Sequence, residues 1–186
     1  MIKGLSKALL RLFGWTVEVS VPDYPKAVIC VAPHTSNWDF ILGELAIRSV
    51  GRSAGFLMKK SWFFWPLGPI FRAIGGVAVG HEPGRSLTHR LIDRFNESTR
   101  LVVAITPEGT RSRTAQWHTG FLHVAMGANV PVCLAAIDFA RKDITLTRTF
   151  TPTGNVEADM RAIKDYYKNC TGLYPEKFTT ADPENE

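Results

Sequence analysis
The chain of 186 residues, 45% hydrophobic and 21% charged, suits one globular domain with a sizeable core and leaves little room for a second. Its three cysteines, Cys30, Cys133 and Cys170, are too widely spaced to suggest a disulfide framework or a CxxC metal site, which points to a reducing compartment. A formal charge of +5 favours an anionic partner, but no nucleic-acid-binding motif accompanies it, so a membrane surface or an acidic carrier protein fits better.

In chain order, the first signal is MIKGLSKALLRLFGW, with Lys3, Lys7 and Arg11 at i, i+4 and i+8 and Ile2, Leu5, Leu9, Leu12 and Phe13 largely away from that stripe. Residues 1–16 are expected to form an amphipathic, membrane-contacting helix; packing of that helix on the protein's own core accounts for the pattern equally well. Fifteen residues carrying three cations fall short of the roughly 20 apolar residues a bilayer span needs, and no small-residue cleavage site follows. After the turn VPDYP, residues 27–32 form an apolar run of strand length, and SNWDFILGELAIRSV then shows helical spacing until Gly51. Short strands are expected at 55–58 and 76–79, on either side of the aromatic stretch SWFFWPLGPIF. A polar helix at 86–96 precedes a strand at 101–106, a helix at 119–126 precedes a strand at 130–137, and an edge strand near 144–152 leads to a helix at 156–169. The alternation predicts an α/β fold: a single domain with a mixed, mostly parallel sheet flanked by helices. Its main body spans 17–175, and the acidic, Pro-containing stretch 176–186 is expected to be a disordered tail.

Two loops carry candidate chemistry. In VAPHTSNWDF, His34 follows Pro33 at the C-terminal end of the 27–32 strand, where open α/β sheets place their ligands. With Ser36 as N-cap, Asp39 falls at N3, the acidic position of a capping box. Capping explains Asp39 but not His34; one helical turn brings both side chains to the same mouth, as a general base and the carboxylate that orients it require. A structural histidine remains an equal alternative on these residues alone. The second loop, PEGTRSR, follows the 101–106 strand, and its Arg111 and Arg113 place cations where the sheet's ligands are expected.

Taken together, His-x-x-x-x-Asp followed by Pro-Glu-Gly-Thr-Arg-Ser resembles the glycerolipid acyltransferases typified by bacterial 1-acylglycerol-3-phosphate acyltransferase. The likeness runs from about residue 27 to 137 and includes FLMKKSW, GGVAVGH, WHTGF and VPVCL. It implies a glycerol-3-phosphate acyltransferase-like fold and acyl transfer from acyl-CoA or acyl carrier protein to the free hydroxyl of a lyso-lipid, by default 1-acylglycerol-3-phosphate, at the cytoplasmic face of a membrane. It implies no cofactor and no metal. Position by position, His34 would be the base and Asp39 its partner; Lys59 and Arg111 would bind an acceptor phosphate; Glu108, Gly109 and Thr110 would shape the acceptor pocket. With little sequence ahead of the 27–32 strand, residues 1–15 are expected to serve in place of a long helical anchor.

Departures from the family pattern bear on the acceptor. His81 stands where the family usually has an arginine at the end of its glycine-valine block, and His118 where many members have lysine, so both are further candidates for a site with titratable rather than fixed cations. A lyso-lipid with another head group, such as an amino-acid lipid, therefore stays open, as does a noncatalytic membrane-binding module. His118 and His123 lack further ligands at zinc spacing. GRSAG, at 51–55, fits the Gly-x-Ser-x-Gly elbow, but a helix precedes it and a strand follows, the reverse of what that motif needs. The aromatic stretch suits lipid contact, an acyl-chain tunnel or plain core packing.

Overall fold
The protein, a computed structural model, is described for residues 2–73, 75–80 and 84–182, without the side chains of Lys59, Trp62 and Val79. The elements are α1 (Ile2–Leu12), β1 (Thr16–Val19), β2 (Lys26–Ala32), α2 (Asn37–Ser49), β3 (Gly55–Lys59), α3 (Leu67–Ala73), β4 (Gly76–Val79), α4 (Leu87–Glu97), β5 (Leu101–Ile105), α5 (Gly120–Ala128), β6 (Val132–Asp138), β7 (Asp143–Phe150) and α6 (Val156–Tyr167). Among the described residues the strands form one seven-stranded sheet in the order β1-β7-β6-β2-β5-β3-β4. Every neighbouring pair is parallel except β6 and β7, which run antiparallel.

Side-chain alternation along the central strands divides the core into two layers. Val28, Cys30 and Ala32 of β2, with Val132, Leu134 and Ala136 of β6, face Leu91 and Phe95 of α4, Phe121 and Leu122 of α5, and Ile163 and Tyr167 of α6. The alternate residues face the other way: Ile137 meets Leu10 of α1 and Leu42 and Ala46 of α2, while Ala27, Ile29 and Cys133 form a neighbouring cluster. Because β2 is buried on both faces, it reads as a continuous apolar run rather than an alternating one.

Three expectations change. The strand at 143–150 is not an edge: β1 pairs with its outer side in parallel register, Thr16 against Asp143. The aromatic stretch contains a helix, α3, and divides its rings, with Phe63 and Phe71 in edge contact at 6.1 Å while Phe64 and Trp65 are exposed. The stretch expected to be a free tail from 176 is held as far as 182. A short 3-10 turn at Pro175–Lys177 leads to Phe178, whose carbonyl accepts from Arg113 at 3.2 Å, and the Ala181 carbonyl accepts from Lys164 at 2.7 Å.

Candidate active site
The parallel neighbours β2 and β5 end side by side, Cys30 against Ile105, so the loops that follow them emerge together at the carboxyl ends of the parallel strands. The β2 loop turns directly into α2. Ser36 is the N-cap in extended conformation, and the capping box with Asp39 at N3 is complete. Asp39 Oδ2 accepts the Thr35 and Ser36 N–H groups, each at 2.7 Å, and Oδ1 accepts the Ser36 hydroxyl at 2.9 Å. Its side chain is 2% exposed, so the surrounding donors replace the water a buried carboxylate loses.

His34 Nδ1 lies 3.3 Å from Asp39 Oδ2, within ionic contact but not aligned as a hydrogen bond. Catalytic hydrogen bonds are often long and poorly aligned without substrate and tighten when it binds. With Nδ1 turned to Asp39, Nε2 lies on the opposite edge of the ring. The His34 side chain is 21% exposed, accessible from outside, whereas Asp39 behind it is sealed.

The second loop is tied to the first through Glu108, whose Oε1 accepts the His34 backbone N–H at 2.8 Å. Glu108 is buried, and Oε2 has no hydrogen-bond partner among the described residues. Burial pushes its carboxyl up to about 7, against the opposing pull of its own backbone N–H, the His34 N–H and the His34 charge. Gly109 has φ +63, and a Cβ there would stand 2.5 Å from His118 Cδ2. The left-handed backbone favours glycine, and any Cβ there would have to displace the exposed His118 ring. The His118 backbone N–H donates to the Pro107 carbonyl at 2.7 Å, which ties the His118 backbone to the loop. Thr110 Oγ1 accepts the Ser112 N–H at 3.2 Å, closing the turn. The guanidinium of Arg111 donates to the Asn37 side-chain carbonyl at the first position of α2.

His34, Asp39, Glu108, Gly109, Thr110, Arg111 and His118 thus share one mouth. Lys59 ends β3, which pairs with β5, but its side chain lies outside the described residues, as does His81 altogether. Sequence reasoning missed Asn37, which sits in the cap region where an asparagine reads as helix chemistry, and it missed the contacts that residues 172 and 174 make with Thr35. Among the described residues no group of three His, Cys, Asp or Glu side chains is placed to hold a metal ion. A small cleft between Val21, Tyr24, Ile47, Arg52 and Cys133 lies at the opposite end of the sheet, where β2, β5 and β6 begin, and is remote from this chemistry.

A family model described as Acyltransferase matches residues 16–138. The chain is 29% identical over 151 residues to the 1-acyl-sn-glycerol-3-phosphate acyltransferase of Haemophilus influenzae, covering 75% of this chain and 61% of that one, so it spans about six-tenths of that relative's length. The enzyme of the same name from Salmonella typhimurium is 24% identical over 197 residues, covering 95% of this chain and 78% of its own. In structure the chain is similar to the 1-acyl-sn-glycerophosphate acyltransferase PlsC of Thermotoga maritima, with a TM-score of 0.54 at 16% identity, covering 92% of this chain and 80% of that one. At that identity the likeness concerns the fold.

Proposed function
Because the chain belongs to the acyltransferase family, we propose that it moves an acyl group from a thioester, on coenzyme A or an acyl carrier protein, to the free hydroxyl of a lyso-lipid. The acceptor we assign is 1-acylglycerol-3-phosphate, and the product phosphatidic acid. One observation carries the reading: His34, backed by the sealed Asp39, stands beside the Glu108 to Arg111 turn at the ends of two adjacent parallel strands.

In this reading His34 Nε2 takes the proton of the acceptor hydroxyl as its oxygen attacks the thioester carbonyl. Asp39 keeps Nδ1 protonated and stabilises the imidazolium that forms. Collapse of the tetrahedral intermediate breaks the carbon–sulfur bond, and the proton held on His34 passes to the departing thiolate. No covalent acyl-enzyme and no cofactor are needed. Arg111, steadied by Asn37, offers a planar pair of donors to the acceptor phosphate, and the family resemblance assigns Lys59 to the same phosphate.

The lipid surface is met by α1. Its Leu10 and Ser6 are buried, whereas Ile2, Leu5 and Leu12, with Phe13 just beyond, are exposed, and the cations Lys3, Lys7 and Arg11 are exposed largely away from them. The buried face packs on the core, and we assign lipid contact to the exposed apolar face of the same helix. Among the described residues no helix is long and apolar enough to cross a membrane, and we assign peripheral attachment at the cytoplasmic face. The test is thiol release from acyl-CoA and from acyl carrier protein, with 1-acylglycerol-3-phosphate and other lyso-lipids as acceptors and the product weighed by mass spectrometry. Phosphatidic acid is expected. A product only from another lyso-lipid would reassign the head group, and thiol release that no acceptor increases would contradict acyl transfer to a lyso-lipid.

A further inference from the structure
The segment after α6 does not leave the domain. It crosses behind the β2 loop and touches both candidate loops in turn. At its start, the Thr171 N–H is turned to Asp138 at 3.4 Å and the Phe139 N–H donates to the Thr171 carbonyl at 2.9 Å, anchoring it to the end of β6. Gly172 then packs against Pro33 and Thr35, the residues on either side of His34. The Tyr174 N–H donates to Thr35 Oγ1 at 3.3 Å. Further on, the Phe178 carbonyl accepts from Arg113, its ring lies 6.0 Å from Trp117, and the Ala181 carbonyl shares Lys164 with the Ala115 carbonyl.

Gly172 is the tightest of these contacts. A Cβ there would stand 2.7 Å from Thr35 Cγ2 and 2.9 Å from Oγ1, where anything under 3.0 Å forces a shift. Rotation of Thr35 about χ1 does not clear the space, because its two branches fill two of three staggered positions and any rotamer returns at least one of them. Thr35 is itself 2% exposed, and its N–H is one of the donors that hold Asp39. A push on Thr35 is therefore delivered to its neighbour His34 and to the carboxylate behind it.

We propose that residues 171–182 are a strap that fixes the catalytic loop, and that Gly172 is a positioning residue which, by having no side chain, lets Thr35 sit where His34 and Asp39 meet. The inference rests on His34 as the base, but its first readout does not. Hydrogen exchange of the Thr35 and Ser36 amides, both donors to Asp39, reports the loop directly. Gly172→Ala is expected to speed exchange at these two amides while amides of β2 and β6 stay protected, and to lower kcat by about 10–100-fold with the acceptor KM little changed. Thr35→Ser supplies the background for a double-mutant cycle, since a serine hydroxyl can take the third staggered position. In that background Gly172→Ala is expected to cost about threefold or less.

Unchanged exchange at Thr35 and Ser36 in Gly172→Ala, or the same fold loss in both backgrounds, would overturn the strap. If Gly172→Ala does not fold, the double variant decides: it is expected to fold with protected Thr35 and Ser36 amides, and its failure to fold would also overturn the proposal. A wild-type protein with no acyl transfer would sink the functional reading and leave the exchange experiment to judge the strap on its own.

Discussion
Asp39 serves two structures at once. Its oxygens cap α2 through Thr35 and Ser36, and the same Oδ2 faces His34. Asp39→Asn keeps the shape and removes the charge, so it should lower kcat by about 10²–10⁴ through loss of imidazolium stabilisation. It should also cost about 1 kcal/mol of stability through the weakened cap; a stability loss with full kcat would make Asp39 a cap only. Glu108 offers a pH test. Its carboxyl, raised by burial to about 7 from 4.5, binds a proton more tightly folded than unfolded across that interval. The folded state thus holds more protons there, and this group's contribution to stability falls as pH rises from 4.5 towards 7, then levels off. Urea midpoints at pH 5, 6, 7 and 8 should show wild type losing stability relative to Glu108→Gln along that series; parallel curves would contradict it. Arg111→Ala is expected to raise the KM for a phosphate-bearing acceptor about tenfold or more while leaving KM for the thioester little changed, and an equal rise for both substrates would remove Arg111 from the acceptor site. These residues could be picked out in the sequence because they sit in short, distinctive strings, VAPHTSNWDF and PEGTRSR, each at the C-terminal end of a predicted strand. It did not display Asn37 as Arg111's partner, since that pairing crosses from one loop to the other.

α1 buries one face and leaves apolar residues of another exposed. Leu10 belongs to the core with Leu42 and Ile137, whereas Leu5 and Leu12 are 62% and 77% exposed. Leu5→Ser with Leu12→Ser should leave stability within about 0.5 kcal/mol and weaken binding to anionic liposomes by roughly 10²-fold, as expected for two lost leucine insertions. Undiminished liposome binding would place the lipid contact elsewhere. The hydrophobic spacing forecast this helix but not how its faces are shared, because the pattern records which residues are apolar and not what covers them. The strand-to-helix unit of β2 and α2 was legible for a stronger reason: a fully apolar run and a capping box are both local. β1 was not, since its four residues alternate between exposed and half-buried at the sheet's edge.

For the whole molecule, alternating strands and helices were enough to anticipate a largely parallel sheet with both loops at one end of it, whereas the adjacency of β2 and β5 comes from a strand order that only the fold displays. The course of residues 171–182 was hidden for the opposite reason. The segment is held largely through backbone carbonyls and N–H groups, at Thr171, Tyr174, Phe178 and Ala181, and backbone groups leave no trace in composition. From residue 176 on, acidic and Pro-containing sequence suggests disorder, while the fold supplies partners from other elements, Arg113 of the loop after β5 and Lys164 of α6.

The central claim is that His34 is the base of an acyl transfer, and the most direct test compares thiol release by wild type and His34→Ala, with a long-chain acyl thioester and 1-acylglycerol-3-phosphate in vesicles. The variant's fold is checked by circular dichroism. The account predicts acceptor-dependent release in wild type and a loss of about 10²–10⁴ in the folded variant. Equal rates from the two proteins would contradict it.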